Sequence, residues 1–175
     1  MRFSAKSFWA IAAALAVTAS WSFQANAKPR HPLVGHAAPD LLQHLQSGPA
    51  GNFRLSDHRG EVVLLGFWAS WCAACGDYLA NLRALEQTYQ SAGLVVLGVS
   101  LDEDRQSALD FVRPYGASLR TSNDDPVGVG RQYSIEDVPL TILIDRDGVI
   151  RYVHSVSDHV NQVAIQRELR ALLDE

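Results

Sequence analysis

Cys72 and Cys75 are the only cysteines of the chain. Two alanines separate them within FWASWCAACGDYLANL, Phe67 to Leu82. Two sulfurs at this spacing can do four things. They can form a structural crosslink, but closing so short a loop contributes only about 2 kcal/mol in the chain-entropy account. A chain with 47% hydrophobic residues builds a core without that staple. They can bind a soft ion, copper(I) on two thiolates or half of a zinc site. The histidines, His31, His36, His44, His58, His154 and His159, show no paired ligand spacing that would complete a zinc site. One cysteine can be a hydrolytic nucleophile, which leaves the second without a role. The pair can exchange dithiol for disulfide, the second sulfur resolving the mixed disulfide that the first one forms. This last chemistry requires two thiols at this spacing.

The surrounding elements decide how the pair is held. Glu61 to Ala69, EVVLLGFWA, is a nearly continuous apolar run, the pattern of a strand buried on both faces. After the cysteines Tyr78, Leu82, Leu85 and Tyr89 recur at one-face helical spacing, which predicts a helix to about Ala92 with Gly93 as its stop. Leu94 to Ser100, LVVLGVS, is a second buried strand. Strand, helix and strand of this kind form a parallel βαβ unit with a right-handed crossover. The dithiol therefore falls where the first strand feeds the helix, with Cys72 at the helix N-terminus and Cys75 one turn in. Free N–H groups and the helix dipole favour negative charge there, which makes Cys72 the expected attacking thiolate and Cys75 the shielded resolving thiol.

Further elements extend the sheet. Ala108, Phe111, Val112 and Tyr115 share a helical face after the acidic loop at Asp102 to Asp104, and Pro114 ends or kinks that helix. Leu140 to Asp145 and Val149 to His154 read as strands joined by a turn in which Gly148 takes positive φ. A final helix turns Ile165, Leu169, Leu172 and Leu173 inward, with Asp158 as candidate N-cap. Ser47 to Gly60 reads as turns around a short edge strand.

The first 27 residues read as an address. Arg2 and Lys6 precede the apolar stretch Phe8 to Ser20, and the small-x-small ending at Ala27 suits signal cleavage. The apolar stretch is shorter than the roughly 20 residues of a membrane span. Cleavage after Ala27 leaves one domain, residues 28–175, with 13 Lys plus Arg against 19 Asp plus Glu, a formal charge of −6. That acidic balance excludes nucleic acid as a partner on electrostatic grounds. Export also places the thiols where disulfides persist.

FWASWCAAC, then VVLGVSLDED, then VPLTILIDRDGVI together resemble the thioredoxin superfamily, and within it the exported TlpA/ResA type of thiol-disulfide oxidoreductase. The resemblance runs from about Gly35 to the C-terminus. It implies a thioredoxin-like α/β fold, a central mixed β-sheet flanked by helices with an N-terminal strand or hairpin extension. It implies that Pro139 is cis and lies against the disulfide, where Val138 and Pro139 pair with an extended substrate backbone, and that Trp71 belongs to the substrate-facing surface. It implies a reductant of exported proteins, of the cytochrome c or copper-site maturation type, recharged by a membrane electron donor. Contact with the membrane would then be transient, through partners, and the location periplasmic. No organic cofactor is implied, because the dithiol itself carries the electrons. Ala73 and Ala74 add neither charge nor donor, which also points to a mildly reducing pair. A copper(I) chaperone using the same two thiols and a peroxidase are the alternative functions; the Pro-x-x-x-Thr-x-x-Cys setting of peroxiredoxins is missing from LGFWASWC.

Four positions depart from the family pattern. Ala74 and Ala80 stand where prolines are common, which favours a straight helix. Gly66 stands where thioredoxin has a buried aspartate, and Tyr78 where ResA-like proteins have a glutamate. Both usual proton acceptors for the resolving thiol are thus replaced, and slow resolution of mixed disulfides is expected.

Overall fold

The structure, a computed structural model, describes residues 31–115, 119–155 and 162–175. The signal residues, the proposed cleavage point at Ala27 and the candidate cap Asp158 lie outside the described residues.

Two apolar runs make the centre of the fold. Val62–Trp68 (β3) and Leu94–Ser100 (β4) are buried at every residue and pair in parallel, from Val62 opposite Leu94 to Trp68 opposite Ser100. Between them runs the helix Cys75–Tyr89 (α1), closed by a 3-10 turn and by Gly93 in the left-handed region at φ 94°. This is the expected βαβ unit, and its strand bounds agree with the apolar runs to within a residue.

Leu140–Ile144 (β6) joins the other edge of β3 antiparallel, and Ile150–Ser155 (β7) pairs antiparallel with β6. Gly148 turns the chain between them at φ 75°, as expected. Thr121–Asn123 (β5) extends β4 in parallel. The five strands stand in the order β5-β4-β3-β6-β7, a mixed sheet. Leu42–His44 (β1) and Asn52–Arg54 (β2) form a separate antiparallel hairpin, the N-terminal extension. The helices Arg105–Val112 (α2), Pro126–Gln132 (α3) and Gln162–Leu173 (α4) complete the chain. Tyr115 falls in a short 3-10 turn containing Pro114 rather than on α2. Among the described residues no helix is long and apolar enough to cross a membrane.

The inward face of α1 differs from the expected one. Cys75, Leu79, Leu82 and Glu86 are buried, whereas Tyr78, Leu85 and Tyr89 are half-buried along one flank. A carboxylate on the inward face hid the true stripe. Glu86 pairs with Arg120, and burial lifts its carboxyl above the usual range against the pull of that guanidinium.

Candidate active site

Cys72 and Cys75 are joined as a disulfide with their Cα atoms 5.3 Å apart. The helix that follows starts later than the spacing predicts. Its first residue is Cys75, and Ala74 caps it without a side-chain bond. Cys72 lies in the turn ahead, its N–H donating to the Ala69 carbonyl at 3.2 Å and its carbonyl accepting from the Cys75 N–H at 3.1 Å. The expectation that Cys72 opens the helix with Cys75 one turn in is therefore corrected: Cys75 opens it and Cys72 stands before it. The turn between β3 and α1 consumes the residues assigned to the first helical turn. The dithiol still stands at the uncapped positive end of the helix, where a thiolate is favoured.

Burial separates the two sulfurs' residues. Cys75 is fully buried, Cys72 is 8% exposed, and the adjacent Trp71 is 70% exposed. Across from them the Val138–Pro139 peptide bond is cis. The Val138 carbonyl oxygen lies 3.8 Å from Cys72 Sγ, an acceptor for the thiol proton once the pair is reduced. The structure thus brings together Trp71, Cys72, Cys75, Val138 and Pro139.

A buried network secures the turn that carries Trp71 and Cys72. Asp102 is 4% exposed and sits just beyond β4. Its carboxylate accepts from the Ser70 N–H at 3.0 Å and from the hydroxyls of Ser70 and Ser100, each at 2.6 Å. Asn123, from β5, donates to the Asp102 carbonyl at 2.7 Å. In the sequence Asp102 to Asp104 reads as one acidic loop. The structure splits it: Asp102 is an interior anchor, whereas Asp104 caps α2 through the N–H groups of Gln106 and Ser107. The available signal is position, an acid two residues after a strand buried at every residue.

Gly66 and Tyr78, the two positions expected to depart from the family pattern, meet each other. A β-carbon at Gly66 would lie 2.5 Å from Leu82 Cδ1 and 2.7 Å from the Tyr78 hydroxyl, so the tyrosine fills the space above this glycine. The hydroxyl lies 3.0 Å from the Leu140 carbonyl, to which it donates, and 3.0 Å from Thr141 Oγ1. Burial pushes the Tyr78 phenol far above its ordinary value, so it stays protonated and is no base for a thiol. Beside it opens a groove of about 710 Å³ between α1 and α4, with Ala74, Asp77, Tyr78 and Pro139 at the dithiol end and Thr88, Tyr89 and Arg170 along its length. Among the described residues no group of three or more His, Cys, Asp or Glu side chains is placed to hold a metal ion.

Comparison with known proteins accords with this geometry. The model of the AhpC/TSA family matches residues 34–153. The thiol:disulfide interchange protein DsbE of Escherichia coli (strain K12) is 33% identical over 160 residues, covering 85% of this chain and 80% of the relative. The thiol-disulfide oxidoreductase ResA of Geobacillus kaustophilus is 29% identical over 139 residues, covering 79% of this chain and 78% of the relative. A crystal structure from Chlorobium tepidum assigned as a thiol:disulfide interchange protein DsbE superposes with a TM-score of 0.70 at 31% identity, covering 80% of this chain and 97% of that one. The chain belongs to the AhpC/TSA family and is a thioredoxin-like thiol-disulfide oxidoreductase of the ResA/DsbE type.

Proposed function

We propose that this oxidoreductase is exported to the periplasm and works there as a reductant of disulfides in exported proteins, of the kind needed in cytochrome c or copper-site maturation. The observation that carries the exchange chemistry is the unequal burial of the pair: Cys72 keeps 8% exposure beside Trp71, which is 70% exposed, and Cys75 is fully buried. The Cys72 thiolate attacks one sulfur of a substrate disulfide and the other substrate sulfur leaves as a thiolate. The Cys75 thiolate then attacks Cys72 Sγ and expels the second substrate thiolate, so two electrons pass to the substrate and this protein's pair becomes the disulfide. Trp71, Val138 and Pro139 hold the substrate chain during the exchange. A membrane electron donor returns the pair to the dithiol. Residues 1–27 act as the signal, cleaved after Ala27, leaving residues 28–175 as one domain. A similar solved protein is described as a secreted thiol-disulfide isomerase of Corynebacterium glutamicum, at 26% identity and a TM-score of 0.67, which supports the export reading.

The test is the equilibrium redox potential of the mature protein in thiol buffers, followed by tryptophan fluorescence. A value near or below about −220 mV is expected of a reductant, and one near about −120 mV would reverse the direction of electron flow. In the Cys75→Ala variant the substrate is expected to stay on Cys72 as a mixed disulfide. Tight copper(I) binding by the reduced pair, with no trapped substrate, would favour a chaperone instead.

A further inference from the structure

Residues 138–141 do four things in sequence. The Val138 carbonyl faces Cys72 Sγ, Pro139 is cis, the Leu140 carbonyl accepts from Tyr78, and the Thr141 hydroxyl meets the same phenol oxygen. Tyr78 stands three residues beyond Cys75 on α1. Gly66, the register partner of Thr141 in β3, leaves the space in which the phenol sits. The phenol has one proton and two partners. It donates to the Leu140 carbonyl and accepts from the Thr141 hydroxyl, so both neighbours are satisfied in an interior where Leu140 is 3% and Thr141 1% exposed.

We infer that Tyr78 is a positioning residue for the exchange reaction, fastening the helix that carries Cys75 to the segment that follows Pro139, so that a protein substrate held at Val138 and Pro139 meets Cys72 at a fixed distance. Val138 faces the sulfur, and Leu140 and Thr141 in the same segment face the tyrosine, so a shift of α1 against β6 changes the gap between Cys72 and the docked chain. Small misplacements of reacting groups cost rate even where every group is present. A small disulfide without a peptide backbone makes no use of the Val138–Pro139 segment and does not depend on this link. The inference rests on the proposed docking of substrate at Val138 and Pro139, but it holds for electron flow in either direction.

The experiment compares second-order exchange rates of the mature protein with two disulfides, an extended peptide dimer joined by one cystine and hydroxyethyl disulfide, in both directions. Tyr78→Phe keeps the ring over Gly66 and removes the hydroxyl. It is expected to slow exchange with the peptide about fivefold while leaving hydroxyethyl disulfide unchanged, the effect of losing one net hydrogen bond of ordinary strength. Thr141→Val, which keeps shape and removes the other partner, is expected to give the same split at about twofold. Pro139→Ala is the control for docking. If Pro139→Ala changes the peptide-to-small ratio and Tyr78→Phe does not, or if Tyr78→Phe slows both disulfides equally, Tyr78 has no positioning role. If neither variant changes the ratio, the docking proposal fails and the inference falls with it.

Discussion

Replacing Asp102 by alanine removes the acceptor on which the turn before Cys72 depends. The fully buried Ser100 hydroxyl loses a charged acceptor at 2.6 Å. Ser100 Oγ keeps the Asp102 N–H as a donor to it at 3.0 Å, but its own proton has no partner in the observed arrangement. Leaving one buried donor unpaired costs about 2 kcal/mol. Ser70 is only half-buried, so water can reach its N–H and hydroxyl, and the loss there is about 0.5 kcal/mol each. The expected destabilisation is therefore about 3 kcal/mol, a large share of the roughly 5–15 kcal/mol that holds a domain together. Urea unfolding of the oxidised protein measures it, as a fall in midpoint at unchanged m. Asp102→Asn keeps one oxygen acceptor, and serine hydroxyls can turn to accept from the amide, so about 1 kcal/mol is expected. A loss below about 1 kcal/mol in the alanine variant would refute the claim that this carboxylate anchors the turn. Where the turn does loosen, Cys72 attack on any disulfide is expected to slow, including hydroxyethyl disulfide, which separates this effect from that of Tyr78.

Gly66→Ala places a methyl against Leu82 and the Tyr78 hydroxyl and is expected to cost about 1–3 kcal/mol of overpacking, with partial recovery in the Gly66→Ala, Tyr78→Phe double variant. Urea unfolding reads both, and equal losses in the single and double variants would show that the hydroxyl is not in the way. Asp104 has its carboxyl held below the ordinary 3.8 by the Ser107 hydroxyl and by the N–H groups of Gln106 and Ser107. A depressed carboxyl contributes stability above its unfolded value and loses it as pH falls through the folded one. Asp104→Asn, which keeps a capping oxygen, is thus expected to flatten the fall in stability below about pH 4, and an unchanged acid limb would count against the cap's charge.

The parts of the fold legible in the sequence are those where one pattern dominates. Val62–Trp68 and Leu94–Ser100 are apolar throughout because both faces are covered, and the run length alone identifies them. Gly148 and Gly93 punctuate where the backbone turns left-handed. The weakly patterned elements escaped. Thr121–Asn123 is three polar residues held as a strand by pairing with β4, and Pro126–Gln132 carries two glycines that lower helix propensity, offset by the Asp125 cap. The site divides the same way. Cys72 and Cys75 follow from spacing, and Trp71, Val138 and Pro139 follow from resemblance. Asp102 was hidden because an acid that accepts three donors in the interior looks, in sequence, like its exposed neighbours.

Gly66 and Tyr78 read in the sequence as two separate departures from the family pattern, but the packing makes them one. A side chain at Gly66 meets Tyr78, so an acid there requires that the tyrosine leave. An acid at position 78 faces the opposite problem. Tyr78→Glu would set an ionised carboxylate, which only accepts, near the Leu140 carbonyl that now receives a proton from the phenol. The carboxyl is relieved by keeping its proton, so its pKa rises in the folded state above the roughly 4.3 of an unfolded chain. A raised carboxyl contributes stability at low pH and loses it as pH climbs through the folded value. The variant is therefore expected to be less stable than wild type at every pH, because the shorter side chain empties the space that the ring fills over Gly66, and to lose about 2 kcal/mol more at pH 8 than at pH 4. Urea midpoints at the two pH values, each referred to wild type, measure that loss. Equal offsets at both would mean that the carboxylate finds water in the groove and that the Tyr78 site accommodates its charge.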